Sequence, residues 1–396
     1  LKTAQDAKMQ FANRLKSLKA NVFADMDRAK AQAKALGRDL IDLSLGSSDL
    51  STSPHVIQAI ASSLEDPSTY GYLLFNGTQG FRQAAAQWYE QKFGLKVDPQ
   101  TEVLPLIGSQ EGTAHLPLAI LNPGDYALLL DPGYPSHAGG VYLANGQIYP
   151  IPLIEANGFL PILEDIPLTV LAQSRMMVLS YPHNPTSAIA PLAFFQEAVR
   201  FCQKHHIVLV HDFPYVDLYF QEKSVPSIFL ADPEKSTSIE FFSLSKSYNM
   251  GGFRIGFAIG NAELIQALRQ VKSTIDFNQY LGILQGAIAA LSGDQQGVKN
   301  TVATFQRRRD TFIQALHQIG WYVPTPQATM YVWTKLPKPW NHNSQEFCVK
   351  LVQETGVAAA PGIGFGQAGE GYVRFALVHE PNILATSVSR IAEFLG

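Results

Sequence analysis

Between residues 103 and 260 the chain alternates short, unbroken apolar runs with longer stretches of helical character. The runs cover 103–107, 126–130, 176–179, 207–210, 239–244 and 255–259. A strand with one wet face alternates apolar and polar residues, so continuous hydrophobicity predicts strands covered on both faces, in an α/β fold with a mostly parallel central sheet. The runs lead into polar, Gly- or Pro-rich segments, namely GSQEG, DPGYPS, YPHNPT, HDFPY and SLSKSYN. In such sheets the ligand crevice lies beyond the carboxyl ends of the strands, so five segments distant in sequence are expected to share one site.

Past this region the pattern changes. Residues 284–318 read as one long helix with an interruption at SGD, and ATMYVW, GVAAAP and GYVRFAL read as strands of a second, smaller α/β domain. The helical first 35 or so residues are expected to pack there. The expected division is a large domain over 46–290 and a small domain built from both termini, 1–45 and 291–396.

Composition narrows the class. With 396 residues, 46% hydrophobic and 16% charged, the chain predicts a large buried interior. A formal net charge of -3 gives no electrostatic footprint for nucleic acid, and Arg307, Arg308 and Arg309 read as a solvated helix face. Cys202 and Cys348 lack zinc-ligand spacing and are too few for a disulfide framework, so two free thiols in a reducing compartment are expected. The N-terminal segment is amphipathic rather than apolar throughout, and no uncharged apolar stretch reaches the roughly 18 residues a membrane span needs. A soluble, cytoplasmic protein is the expectation.

Lys246 carries the strongest chemical signal. In SLSKSYNMGGFRIG it follows an apolar run, with Ser243 three residues before and Arg254 eight after. Hydroxyls and a guanidinium around one amine suit a lysine that forms a Schiff base beside a bound phosphate. Other residues are weaker when taken singly. Asp212 in IVLVHDFPY reads alone as a turn former before Pro, and Asn184 in YPHNPTS as an ordinary turn. Gly108, Ser109 and Gln110 open a helix whose first N–H groups suit an anion. Tyr134 in DPGYP is a loop aromatic, Arg374 in GYVRFAL an ordinary ion-pair arginine, until they are read together.

Read together, these motifs are similar, in order and spacing from Gly46 to Arg374, to those of the fold-type I pyridoxal-phosphate (PLP) aminotransferases of class I/II, the aspartate aminotransferase family. The resemblance implies that Lys246 bonds the cofactor aldehyde and moves the substrate proton, and that Asp212 keeps the ring nitrogen protonated. It implies that Tyr215 and Asn184 bind the 3′-oxygen and that Tyr134 stacks on the ring. Gly108, Ser109, Gln110, Ser243 and Arg254 would form the phosphate cup, joined by Tyr72 from the neighbouring subunit of a homodimer. Arg374 would take the substrate α-carboxylate beside the Gly46 backbone, with Asn184 also contacting substrate. The implied reaction carries an amino group from an L-amino acid to a 2-oxo acid, 2-oxoglutarate for one half.

The chain departs from the family's common GDPD form, having Ser47 and Ser48 after Gly46. It also lacks a matching distal arginine in KSTIDFNQYLG, which resembles the diaminopimelate, aromatic and broad-range subgroup. Phe23, Tyr72 and residues 273–280 of the partner subunit are candidates for the side-chain pocket. A β-lyase or cyclising enzyme of the same fold stays open, since cofactor motifs do not fix the reaction. An aminotransferase-like regulator would need a DNA-binding module, and the roughly 40 residues before Gly46 are neither long nor basic enough.

Three other signals are rejected. GFGQAG at 364–369 satisfies GxGxxG but precedes a strand, so it predicts a tight loop ahead of Arg374. His211, Asp212 and Ser180 cannot form a relay, because neighbours on a strand face opposite ways. His115, His137, His183, His205 and His206 lack metal-ligand spacing and are expected to be solvated or packed.

Overall fold

The computed structural model describes residues 9–18, 22–220 and 225–396. Its strands, in chain order, begin with β1 (Ile41–Asp42), followed by β2 (Val103–Leu106), β3 (Tyr126–Asp131), β4 (Gln147–Pro152) and β5 (Ser174–Leu179). Then come β6 (Val208–Asp212), β7 (Ser238–Ser243) and β8 (Gly256–Gly260). The last four are β9 (Tyr331–Lys335), β10 (Val357–Ala358), β11 (Ala360–Pro361) and β12 (Tyr372–Ala376).

Seven of these form the main sheet in the order β2-β8-β7-β6-β5-β3-β4. Pairing is parallel from β7 through β6, β5 and β3 to β4, while β8 runs antiparallel to both β7 and β2. The six apolar runs all become strands within a residue or two. β4 was not anticipated: QIYPIP carries two prolines and buries only Ile151, which fits an edge strand that needs hydrogen bonds on one side only.

The interior confirms why continuous runs were needed. Residues on one sheet face, such as Leu128, Met177, Leu209 and Phe242, join one core, and those on the other, such as Ala127, Met176, Val210 and Phe241, join a second. A further core gathers Met26, Ile41 and Leu43 with residues from Phe305 to Ile391, and also takes in Tyr215 and Leu218 from the segment after β6.

The stretch 284–318 is two helices, Leu281–Ser292 and Gln296–Gln318, broken at Gly293. The first contributes Leu284 and Ala287 to the core of the main sheet, and the second contributes Phe305, Phe312 and Leu316 to the other. The arginine run on the second helix is not a solvated face. Arg308 is fully buried, its two terminal nitrogens bonding both oxygens of Asp49 at 2.6 and 2.8 Å and Glu380 at 2.9 Å. Arg309 is buried too, donating to the Pro326 carbonyl at 3.0 Å. Only Arg307 is exposed.

Adjacent residues at the end of β6 do face opposite ways. His211 is bonded to Glu240 Oε1 at 2.8 Å, beneath the sheet, with both side chains at 0% exposure. Such a pair is tolerated only when its remaining polar atoms are satisfied. Here Ile228 N–H and Ser227 Oγ–H donate to the two Glu240 oxygens at 2.8 Å each, and His211 Nε2 lies 3.0 Å from the Tyr181 carbonyl. Glu111, His115 and Asp276 also draw together, but the Lys272 ammonium lies among them, 2.6 Å from Glu111 and 3.7 Å from Asp276. A resident cation of the chain's own leaves that cluster with a structural role.

Candidate active site

The segments that end β5, β6 and β7 open into one cavity of about 490 Å³, together with the loop after β1 and parts of β9 and β12. Of the residues expected at the site, Gly46, Ser109, Gln110, Tyr134, Asn184, Asp212, Tyr215, Ser243, Lys246, Arg254 and Arg374 all line it. Their elements account for the convergence. Parallel strands end on the same side of a sheet, so the residues following them are delivered to one edge.

Lys246 sits in the short helix Leu244–Ser247, capped by Ser243, whose Oγ accepts from the Ser245 N–H at 3.2 Å. Its ammonium donates to the Gly46 carbonyl at 2.5 Å and lies 5.7 Å from the Tyr215 ring centroid. Asp212 ends β6 and is 3% exposed. One of its oxygens, Oδ2, is 2.9 Å from His137 Nε2; the other, Oδ1, is buried without a partner among the described residues. An unpartnered buried carboxylate oxygen carries a desolvation cost of about 1–3 kcal/mol or more, which a ligand N–H would relieve.

At the opposite end, helix Ser109–Ile120 points its first turn into the cavity, where Ser109 and Gln110 present helix N-terminal groups. Gly108 precedes it at φ 75°, and a Cβ there would lie 2.6 Å from Arg254 Nη2, so glycine lets the guanidinium lie against the backbone. Helix N–H groups, a guanidinium and the Ser243 hydroxyl together suit a phosphate.

Arg374 on β12 is 6% exposed and donates to Asn184 Oδ1 at 2.8 Å and to the Ser44 carbonyl at 2.7 Å. Its guanidinium stacks between Tyr331 and Phe365, at 4.2 and 4.6 Å from the ring centroids. The GFGQAG loop supplies Phe365 to this wall, as two 3-10 turns ahead of β12. The Gly46 loop that Lys246 and Arg374 both grip is also tied by Ser48 to Asn249 at 2.7 Å and by Asp49 to Arg308.

Tyr72 is not brought to the cavity. It is 93% exposed, its ring 6.4 Å from that of Phe277. Ile275 and Phe277 are likewise on the surface, and the side chain of Phe23 lies outside the described residues. Gly108 stands behind the lining rather than in it.

Two residues at the site were missed by sequence reasoning. His137, expected to be an unremarkable packed or solvated histidine, is buried against Asp212 and meets Tyr134 edge to face at 5.6 Å. The signal was available: His137 follows Tyr134 by three residues at a helix start, which places the two on one side. Tyr331, 2% exposed, bonds Tyr215 hydroxyl to hydroxyl at 2.8 Å. Nothing local in ATMYVW marks it. Burial raises the Tyr134 and Tyr215 hydroxyls above the usual tyrosine range, and for Tyr215 the neighbouring Tyr331 adds to the rise.

A sheet with this order, a lysine after its antiparallel-paired strand, a buried carboxylate with one open oxygen and a helix-end anion cup define a fold-type I PLP-dependent transferase. The residues fit that cofactor: Asp212 Oδ1 awaits a donor, and the cup matches a phosphate. The family model for aminotransferase class I and II matches residues 38–391. The chain is 41% identical over 386 residues to an LL-diaminopimelate aminotransferase of Dehalococcoides mccartyi, covering 98% of this chain and 99% of that one. It is 39% identical over 388 residues to one from Nitratidesulfovibrio vulgaris, covering 98% and 100%. Among solved structures, substrate-bound BacF from Bacillus subtilis matches with a TM-score of 0.93 at 33% identity, covering 98% of each chain. A probable N-succinyldiaminopimelate aminotransferase from Thermus thermophilus matches with a TM-score of 0.89 at 42% identity, covering 94% of this chain and 99% of that one. The chain belongs to the class I and II aminotransferase family. It is a PLP-dependent aminotransferase that passes an amino group from an amino acid to a 2-oxo acid.

Proposed function

We propose that the cavity beyond β5, β6 and β7 is the transamination site, with Lys246 as its proton carrier and a diaminopimelate-type amino acid as donor. The convergence of the Lys246 amine, the open Asp212 oxygen and the Arg374 fork on one cavity of about 490 Å³ carries this reading. PLP, when bound, supplies an aldehyde for the amino group and a ring that withdraws the electrons left on the substrate Cα.

The chain's own groups do the rest. Ser109, Gln110, Ser243 and Arg254 hold the phosphate, Tyr134 covers the ring, and Asn184 and Tyr215 donate to the 3′-oxygen. Asp212, fixed by His137, accepts from the ring nitrogen and stabilises its positive charge. Arg374 takes the α-carboxylate in a planar fork beside Gly46. That orientation presents the Cα–H to Lys246, which takes the proton and would return it to the carbon on the far side of the amino nitrogen.

The donor class rests on the named relatives, and 2-oxoglutarate as acceptor on the family alone. The two-domain division, 46–290 against 1–45 with 291–396, is supported by the separate cores. A homodimer with Tyr72 crossing to the partner's phosphate is supported by its 93% exposure and by exposed Tyr70, Leu74 and Phe277 nearby in sequence or contact. No described helix is long and apolar enough to cross a membrane, and the buried free thiols of Cys202 and Cys348 support a cytoplasmic setting. A panel of amino donors with 2-oxoglutarate, followed by glutamate formation, tests the reading. LL-diaminopimelate should lead, and release of pyruvate or ammonia instead would replace transamination with lyase chemistry.

A further inference from the structure

Three contacts meet on Tyr331. Its hydroxyl is 2.8 Å from that of Tyr215, the Arg374 guanidinium lies 4.2 Å from its ring centroid, and its phenol abuts Gly46. The last contact is close enough that a Cβ at position 46 would fall 2.7 Å from Tyr331 Cζ. Residues from both ends of the site therefore rest on one side chain. Arg374 and Gly46 belong to the carboxylate end, and Tyr215 to the cofactor end.

The direction of the phenol pair follows from its surroundings. Two touching hydroxyls share one proton between them, and the other proton points outward. Which hydroxyl gives the shared proton is settled by where the other one points. Once Tyr215 turns its own proton toward a ligand oxygen, the shared proton comes from Tyr331, and hydrogen bonds in series strengthen one another.

We propose that Tyr331 is a positioning residue linking the two ends of the site: its ring backs Arg374 and Gly46, while its hydroxyl donates to Tyr215 and makes Tyr215 the stronger donor to the cofactor's 3′-oxygen. This rests on the roles proposed for Tyr215 and Arg374. Weaker donation from Tyr215 leaves that oxygen, and the site bonded through it, with a higher proton affinity.

The test uses PLP-loaded enzyme and the pH midpoint of its visible absorbance band, in Tyr331→Phe, Tyr215→Phe and the double variant. Tyr331→Phe should raise the midpoint by about half a pH unit, less than Tyr215→Phe does. The double variant should match Tyr215→Phe alone, because Tyr331 acts through Tyr215. In steady-state assays Tyr331→Ala, which removes the ring behind Arg374, should raise KM for all amino donors, whereas Tyr331→Phe, which keeps it, should not. An unmoved midpoint in Tyr331→Phe beside a moved one in Tyr215→Phe overturns the inference and leaves the Tyr215 assignment standing. A double-variant midpoint displaced from that of Tyr215→Phe overturns it too, a comparison that does not need the Tyr331→Phe midpoint. No shift in either single variant overturns the Tyr215 role and the inference together.

Discussion

At the scale of single residues, the site divides sharply into what the sequence announces and what only folding assembles. Lys246, Ser243 and Arg254 share one contiguous motif, so their spacing could be read directly. His137 and Tyr331 act through partners 75 and 116 residues away, and no local pattern encodes those contacts. Lys246→Ala should lower transamination by roughly a thousandfold or more while leaving the cofactor able to bind without a covalent link, as borohydride trapping and absorbance would report. Arg374→Ala removes the fork proposed to hold the α-carboxylate that every amino acid shares, so KM should rise about 10- to 100-fold for all donors alike. A loss confined to one donor class would instead place Arg374 in the side-chain pocket. His183 permits a prediction about acid. Burial lowers its imidazole to about 3, from an ordinary value near 6.5. The unfolded chain therefore binds a proton that the folded chain refuses, and stability present above about pH 6.5 is lost progressively as the pH falls toward 3. Thermal melts of His183→Asn between about pH 4.5 and 7 should show a flatter decline than the wild type; parallel curves would assign the acid sensitivity elsewhere.

At the scale of elements, the main-sheet strands were legible because unbroken apolar runs have few alternatives between two covering layers. β4 was not, since an edge strand can bury as little as Ile151 alone and tolerates Pro150 and Pro152. The arginines at 307–309 misled for a related reason. A charge run on a helix is normally wet, and only the arrival of Asp49 and Glu380 from distant segments offsets the cost of burying Arg308. Arg308→Met keeps the length of the side chain but removes the tie between helix Gln296–Gln318 and the Gly46 loop. A destabilisation of about 2 kcal/mol is expected, below the range for a wholly buried pair because both acids reach solvent. It should appear as an earlier thermal transition together with a raised KM. An unchanged KM would mean that the loop keeps its place through Ser48 and Asn249 alone.

At the scale of the whole molecule, the fold was readable from the order of its elements, while the side-chain pocket was not, because its proposed walls come from another subunit. The proposed dimer makes a sharp prediction. Lys246→Ala lacks the amine and Tyr72→Ala lacks the crossing phenol, so each homodimer should be impaired. Mixed after reversible dissociation, they should recover about a quarter of wild-type activity, because half the dimers are hybrids and each hybrid has one complete site. No recovery would place Tyr72 outside the shared site. The proposed crossing of Tyr72 has one more consequence. A catalyst whose working parts sit on separate chains has a turnover per chain that depends on how much of it is present: near the threshold of subunit separation, dilution alone should silence it without any inhibitor, and adding back inert Lys246→Ala protein should revive it.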